Sequence, residues 1–277
     1  MVHSKGTLLG RIFTYTFLVI FLVWSVTPVF IIITNSFKPT LDITRMPPVF
    51  RFAPTLKHYQ GALTVGDFAL YFQNSFIIAF STTLISIICG AMAAYGLLLM
   101  KSKVGHSASN FILIGKLVPS ITILIPLYSM LIFTGLFRTH IGPILAHSSI
   151  NLPFVAWLML GFMKSIPKEL RESGMIDGAT RMQVFWRILL PMLMPAIGSA
   201  LILSMQYSWN ELIFSLQLTT MASYTLPVGI ARFVGSVSVD WGRSSAAATM
   251  TMVPIIILGF FMQRYLVTGL TAGSVKE

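Results

Sequence analysis

The chain has 277 residues, of which 55% are hydrophobic and only 10% are charged, and its net charge at pH 7 is +11. A water-soluble domain carries roughly a quarter of its residues as charged side chains, so this composition excludes a soluble globular protein. A nucleic-acid-binding surface is excluded as well, because the lysines and arginines form no cluster along the chain.

Six apolar blocks follow one another along the sequence, each long enough to cross a membrane. A helix needs roughly 20 apolar residues to span the hydrocarbon layer. Inside lipid every backbone polar group must be paired within the protein, so we expect these blocks to be helices. The sequence therefore predicts an all-α integral membrane protein with one transmembrane domain over 1–277. The six predicted spans are about 12–34, 70–100, 109–133, 141–163, 195–218 and 245–262.

The distribution of basic residues predicts that both termini lie in the cytosol. In this orientation eleven lysines and arginines face the cytosol and seven face outward, which agrees with the positive-inside rule. Two longer segments, 35–69 and 219–243, then form outer loops. Four prolines in the first loop favour an extended, turn-rich conformation.

The cytosolic segment 164–191 is predicted to contain two short helices. Ser165 is a suitable cap for the first helix, and Pro167 falls in its first turn, where a missing N–H has no cost. That helix should end near Asp177 and Gly178, since glycine tolerates the left-handed conformation that terminates helices.

The second short helix should begin at a capping box, because Thr180 is followed three residues later by Gln183. Pro191 and Pro195 then interrupt it where the fifth span begins. The product is a helix–turn–helix element on the cytosolic face. Two readings of it remain open on physical grounds: an amphipathic hairpin resting on lipid headgroups, and a docking element for a cytosolic protein.

The same segment resembles the EAA motif of binding-protein-dependent ABC importer permeases. Glu172-Ser173-Gly174 is followed after three residues by Gly178 and after nine more by Ile188-Leu-Leu-Pro191, so all the spacings match. The departures are Ser173 and Gly174 in place of two alanines, which keeps both side chains small and would let another backbone approach. Ile176-Asp-Gly-Ala179 is typical of the carbohydrate-importing subgroup, similar to the second permease of maltose-type systems. Further stretches that resemble this subgroup are 52–59, 125–128, 209–211, 225–229 and 269–276.

The resemblance implies an assembly in a bacterial inner membrane. Two permease subunits would enclose the path of a sugar-like solute, two cytosolic ATPase subunits would supply ATP and Mg²⁺ chemistry, and a soluble binding protein would deliver the solute. The residues implied in ATPase coupling are Glu172, Ser173, Gly174, Ile176, Asp177, Gly178 and Ala179. The outer loop 219–243 would contact the binding protein, with Ser223 and Tyr224 as the candidate residues.

Polar and aromatic residues within the spans are the candidates for lining the path, because a buried polar group in a membrane usually faces protein or water. For each candidate a structural role remains open, since amides and carboxylates also join helices to each other. His147 is expected to be a packing residue. The path candidates are Asn74, Tyr128, Asn151, Gln206, Tyr207, Asn210 and Glu211.

The chain itself is not expected to be an enzyme. Gly115-Lys116 lacks the upstream glycine and the following hydroxyl of a phosphate-binding loop, and no metal-binding or catalytic motif occurs, so we expect no cofactor in this chain. Two alternatives remain: an ion-coupled secondary transporter, which usually carries several carboxylates within its spans, and a membrane scaffold that transports nothing.

Overall fold

The computed structural model describes residues 8–64, 67–100, 102–233 and 239–271. Within these ranges the regular structure is helical and no strand forms a sheet, which confirms the all-α prediction. The helices, in chain order, are α1 (Leu8–Phe37), α2 (Thr40–Ile43), α3 (Lys57–Thr64), α4 (Phe68–Leu99), α5 (Ser102–Lys116), α6 (Ser120–Phe133), α7 (Ile141–Ser165), α8 (Lys168–Ile176), α9 (Arg181–Val184), a π-helical turn (Phe185–Leu189), α10 (Leu190–Met192), α11 (Met194–Asn210), α12 (Ile213–Leu218), α13 (Leu226–Ala231) and α14 (Trp241–Thr271).

Four of these helices, α1, α4, α7 and α14, are long and apolar enough to cross a membrane by themselves. The bent pair of Arg181–Met192 and Met194–Asn210 makes a fifth span if it is counted as one, and α6 is a shorter apolar helix. The described part of the chain is therefore consistent with six spans. Helices are the form these blocks take because an open backbone cannot be satisfied in lipid.

Two of the predicted spans each consist of two helices. The block 109–133 is divided around Pro119, which occupies the N-cap position of α6 and has no N–H to continue α5. The block 195–218 is divided at Glu211, whose extended backbone (φ −72°, ψ 126°) ends α11 before α12 begins. Hydropathy does not reveal either interruption, because apolar residues flank both of them.

The larger of two compact units consists of Phe68–Gly229 with Val253–Glu277. Its core is formed where α4, α7, the π-helical turn and α11 pack together. Gly90 shows how closely α4 and α7 approach, because a Cβ added there would lie 2.8 Å from Val155 Cγ1. The buried side chains of this core include Ala91, Ala94, Tyr95, Val155, Met159, Met163, Phe185, Leu189, Leu193 and Ala196.

The smaller unit consists of Met1–Asp67 with Ile230–Met252. Its helix α3 is tied to the end of α1 by two hydrogen bonds. The His58 imidazole donates from Nε2 to the Lys38 carbonyl oxygen at 2.8 Å, and the Ser36 and Tyr59 hydroxyls are 2.7 Å apart. The apolar side chains of α1 itself remain exposed along most of its length.

Candidate functional site

The segment that sequence analysis singled out for docking forms a hairpin of short helices, here called the α8–α9 hairpin (Lys168–Met192). Its first helix, α8, begins with Pro167 at the N-cap position. Ser165, the cap residue suggested by the sequence, is instead the last residue of α7, and its hydroxyl donates to the Phe162 carbonyl oxygen at 2.8 Å. That cap prediction is wrong, because α7 extends far enough to engage the hydroxyl in its own last turn.

The turn between the two arms agrees with the sequence prediction. Gly178 has φ of +86°, in the left-handed region that glycine adopts without steric cost. Thr180 then caps α9: its hydroxyl oxygen accepts from the Gln183 amide at 3.3 Å, and the Gln183 side-chain oxygen accepts from the Thr180 amide at 2.7 Å. The predicted turn and the predicted capping box are both confirmed.

The second arm of the hairpin is anchored in the core of the larger unit. Phe185 and Leu189, both in the π-helical turn, are almost fully buried, and the Phe185 ring centroid is 5.1 Å from that of Tyr95 on α4. The Tyr95 hydroxyl donates to the Arg181 carbonyl oxygen at 2.8 Å. Packed protein interiors deform little, so a displacement of this arm would be transmitted directly to the spanning helix α4.

The first arm of the hairpin packs against the second arm at Gly174. Gly174 is buried, and a Cβ added there would lie 2.6 Å from Ile188 Cδ1 and 3.5 Å from Val184 Cγ2. The sequence suggested that Ser173 and Gly174 together would admit the backbone of a partner. Instead, the small residue Gly174 admits the other arm of the same hairpin, while Ser173 is exposed and its hydroxyl donates to the Leu170 carbonyl oxygen at 3.2 Å.

The outward face of the hairpin combines apolar side chains with one flexible ion pair. Ile176, at the tip, is 85% exposed. Glu172 is 56% exposed, and its carboxylate lies 3.9 Å from the Lys168 ammonium one helical turn earlier. Such an exposed ion pair contributes at most about 1 kcal/mol to folding stability, so Glu172 can readily exchange Lys168 for another partner. The other exposed large apolar side chains of the hairpin are Leu170, Met175, Met182, Trp186 and Met192.

The residues assigned to coupling thus divide by their position in the hairpin. Gly174 is buried between the arms, and Ala179 is half-buried against the core. The remaining five are exposed: Glu172, Ser173, Ile176, Asp177 and Gly178.

Glu211, one of the path candidates, lies in a buried hydrogen-bond network of the larger unit. Its carboxylate accepts from His147 Nε2 at 3.0 Å and from the amides of Phe214 and Ser215 at 2.9 and 3.1 Å. The other imidazole nitrogen of His147 lies 2.6 Å from the Ser208 hydroxyl. The carboxylate therefore joins α7 to the break between α11 and α12 and satisfies the first amides of α12, which favours the structural alternative for Glu211.

Asn74, a second path candidate, holds the loop that follows α12. Its side-chain amide donates to the carbonyl oxygens of Ala222 and Tyr224 at 3.1 and 3.0 Å, and its oxygen lies 2.8 Å from His140 Nε2. The neighbouring Ser75 hydroxyl accepts from the Leu226 amide at 2.8 Å. Sequence reasoning missed these partners, because no sequence spacing relates α4 to a loop about 150 residues further along the chain.

The remaining path candidates differ in their burial and in their hydrogen-bond partners. Asn151 is buried on α7, and its side-chain nitrogen has no hydrogen-bond partner among the described residues. Tyr207 is half-buried, whereas Tyr128, Gln206 and Asn210 are exposed, and the Asn210 amide donates to the Gln206 carbonyl oxygen at 2.9 Å. Their role in a path stays a prediction.

The two candidates for contact with a binding protein lie in a folded loop. Ser223 is only 3% exposed, because its hydroxyl accepts from the Thr220 amide at 3.0 Å. Tyr224 is half-buried with its ring edge-on to Tyr71, the centroids 6.0 Å apart. Met221 is 59% exposed and is the residue of this loop that a partner would meet first.

Comparison with known proteins identifies close similarity over most of the chain. The family model described as "binding-protein-dependent transport system inner membrane component" matches residues 85–271, which include the α8–α9 hairpin. A probable ABC transporter permease protein, y4oR of Sinorhizobium fredii, is 34% identical over 88% of this chain and 88% of its own length. The diacetylchitobiose uptake system permease protein DasC of Streptomyces coelicolor is 31% identical over 98% of this chain and 99% of its own length.

The fold is also similar to that of a solved transporter. A chain in the crystal structure of a bacterial ABC transporter involved in the import of the acidic polysaccharide alginate superposes with a TM-score of 0.79. The alignment covers 96% of this chain and 99% of that one at 19% sequence identity, so it is evidence for the fold alone.

Proposed function

The chain belongs to the family of binding-protein-dependent transport system inner membrane components, and from this premise we propose how it works as the permease subunit of an ABC importer. It is a multi-pass membrane protein that forms, with a second permease subunit, the path of a sugar-like solute. A soluble binding protein delivers the solute from outside, and two cytosolic ATPase subunits drive the cycle.

The observation that carries this proposal is the geometry of the α8–α9 hairpin. One arm is buried in the core beside α4 and α7, while the other presents Glu172 and Ile176 outward. An element that only rested on lipid headgroups would not need a buried anchor. A rigid element with an exposed tip and a core-bound base is suited to carry force from a partner into the helix bundle.

The ATPase subunits bind and hydrolyse ATP, and their conformational change is transmitted to this chain. ATP and Mg²⁺ are bound by the ATPase subunits, and this chain contributes no ATPase site of its own. Docking of the ATPase on the hairpin requires the hairpin in the cytosol, which with an even number of spans puts both termini there too. Closure of the ATPase pair on ATP then moves the bundle by rigid-body rotation, and hydrolysis resets it.

The solute is proposed to be a carbohydrate or a carbohydrate derivative. The relative from Streptomyces coelicolor, similar over nearly the whole chain, is named for uptake of diacetylchitobiose. The Ile176-Asp-Gly-Ala179 stretch in the hairpin turn is typical of the same subgroup.

Reconstitution of the full assembly tests this proposal. We expect solute uptake into proteoliposomes to require both ATP and the binding protein, with no response to an imposed proton or sodium gradient.

In the same assay, Glu172→Lys should reduce recovery of the ATPase with the purified permease and reduce uptake about tenfold, since it places a like charge where the ATPase is expected to present a basic residue. Lys168→Ala serves as the matched control, because it removes only the exposed partner of Glu172.

Three results would contradict the proposal. Uptake driven by an ion gradient without the ATPase would favour a secondary transporter, and uptake with neither energy source would identify a passive pore. Glu172→Lys with normal ATPase recovery and normal uptake would remove the hairpin from the coupling step.

Cross-linking from the loop after α12 tests the outer contact with the binding protein. We expect a photoreactive label on Met221→Cys to capture the binding protein, because this side chain is exposed. The same label on Ser223→Cys, two residues away, should react poorly because the site is buried. The chain's own Cys89 is first replaced by serine. Active transport without any capture from Met221→Cys would count against this contact.

A further inference from the structure

The smaller unit contains a cavity of about 870 Å³ that the proposed function has not used. Its walls are formed by residues from the segment before α4, from the segment between α13 and α14, and from the start of α14. Its size falls within the range of roughly 300–1,000 Å³ that is usual for binding pockets in proteins. The charged, amide and large aromatic side chains of its lining include Lys57, Gln60, Arg232, Asp240, Trp241 and Arg243.

Two glycines let α3 and α14 come together behind this cavity. A Cβ added to Gly61 would lie 3.0 Å from Arg243 Cδ, and one added to Gly242 would overlap the His58 imidazole. His58 is itself fixed by its hydrogen bond to the Lys38 carbonyl oxygen. This wall of the cavity is therefore formed by two closely packed helices.

Among the described residues that line the cavity, Asp240 carries the single carboxylate, and both of its oxygens accept hydrogen bonds from Arg243. One Asp240 oxygen accepts from the Arg243 amide at 2.9 Å and the other accepts from Arg243 Nε. Burial alone would raise the pKa of Asp240, but the hydrogen bonds and charge of Arg243 outweigh it and lower that pKa. Asp240 thus stays ionised at neutral pH and neutralises one cation, Arg243.

Two further cations, Lys57 and Arg232, give the cavity a positive excess. In the part of the chain that the structure describes, no carboxylate lies within ion-pairing distance of the Lys57 ammonium. Two other basic residues of the same outer segment have partners within it: Lys38 lies over the rings of Phe50 and Phe52, and Arg45 pairs with Asp42.

Basic residues on the outer side work against correct membrane insertion, which favours positive charge in the cytosol. The cavity gathers two of them, Lys57 and Arg232, beyond the Arg243 that Asp240 neutralises, which favours a function for these two charges there. Trp241, 53% exposed in the lining, adds a large rigid contact surface of the kind that dominates protein interfaces.

We propose that this basic cavity receives acidic side chains of the soluble binding protein when it docks on the outer face. The inference rests on the proposed function, because it needs this face to be the outer one and the solute to arrive on a carrier. A free acidic sugar fits the role less well, since a permease that depends on a binding protein meets the loaded carrier first. Aspartate or glutamate side chains would pair with Lys57 and Arg232, and the charge would also steer the approach.

The test measures ATPase activity against binding-protein concentration in nanodiscs of neutral phosphatidylcholine. The probe is the binding protein encoded beside this chain's gene, loaded with its solute. Lys57→Glu/Arg232→Glu should raise the half-saturating concentration of binding protein about tenfold or more, with little change in the rate at saturation. In wild type the half-saturating concentration should rise with salt, because exposed charges are screened beyond about 8 Å at physiological ionic strength. That dependence should be much weaker in the double variant.

Arg45→Glu/Arg51→Glu is the matched control, because it reverses two charges in the same outer segment but outside the cavity lining. It should leave the half-saturating concentration within about twofold of wild type. Correct folding of each variant is checked by recovery of the intact assembly on size exclusion.

Three outcomes would overturn the inference. An unchanged half-saturating concentration in the double variant would remove the cavity from docking. An equal shift in Arg45→Glu/Arg51→Glu would indicate a diffuse charge effect. A shift seen only in phosphatidylglycerol nanodiscs would identify lipid headgroups as the occupant. Failure of the wild-type assembly to respond to the binding protein at all would overturn the proposed function itself, and so differs from each of these.

Discussion

Replacing Gly174 with leucine should uncouple the importer. A Cβ at this position would already lie 2.6 Å from Ile188 Cδ1, so a leucine side chain must separate the two arms of the α8–α9 hairpin. Forcing extra methylene groups into a packed contact costs roughly 1–3 kcal/mol. Because about 1.4 kcal/mol is a factor of ten in an equilibrium constant, the two arms should hold their packed arrangement about tenfold less often relative to the separated one, and we expect ATP-driven uptake to fall about as much. Uptake and ATPase activity are measured together in proteoliposomes.

Two further variants test whether the contact with Ile188 is the cause. Gly174→Ala should be mild, because Ile188 Cδ1 is the far end of a flexible side chain and can move aside. Gly174→Leu/Ile188→Ala should recover much of the lost uptake, since the smaller residue at 188 makes room for the leucine. If Gly174→Leu transports normally, or if Ile188→Ala gives no recovery, the separation of the arms is not what coupling depends on.

Replacing His147 or Glu211 with leucine should destabilise the bundle, the second change more than the first. Breaking a buried pair by removing one partner costs about 3–5 kcal/mol, because the other is left uncompensated. Loss of Glu211 also removes the hydrogen-bond acceptor of the Phe214 and Ser215 backbone amides. The thermal midpoint of the purified assembly in detergent should fall for both variants, as followed by size-exclusion fluorescence.

The double variant His147→Leu/Glu211→Leu separates a structural role from a role in the path. If the pair is structural, the double variant should lose clearly less stability than the sum of the two single changes, because no buried polar group is left behind. Normal stability of Glu211→Leu with loss of uptake would instead favour contact with the solute. That result would restore Glu211 to the path candidates.

The local chemistry of the hairpin could be read from the sequence because it depends on neighbours a few residues apart. The left-handed turn at Gly178 and the capping box of Thr180 and Gln183 are set by backbone groups within one turn of helix. The cap at Ser165 was wrong for a related reason. The length of α7 decided which helix that hydroxyl would serve, and that length is not a local property.

The sequence by itself determined that this chain is a bundle of apolar helices, because lipid leaves the backbone no other way to satisfy its polar groups. Only the tertiary structure decided what the polar residues do. Asn74 and Glu211 look alike as uncommon polar residues in apolar blocks, yet one holds a distant loop and the other joins His147 to a helix break. Hydrogen bonds between residues 64 to 150 positions apart leave no periodic trace in a sequence, so the partners appear only when the chain is folded.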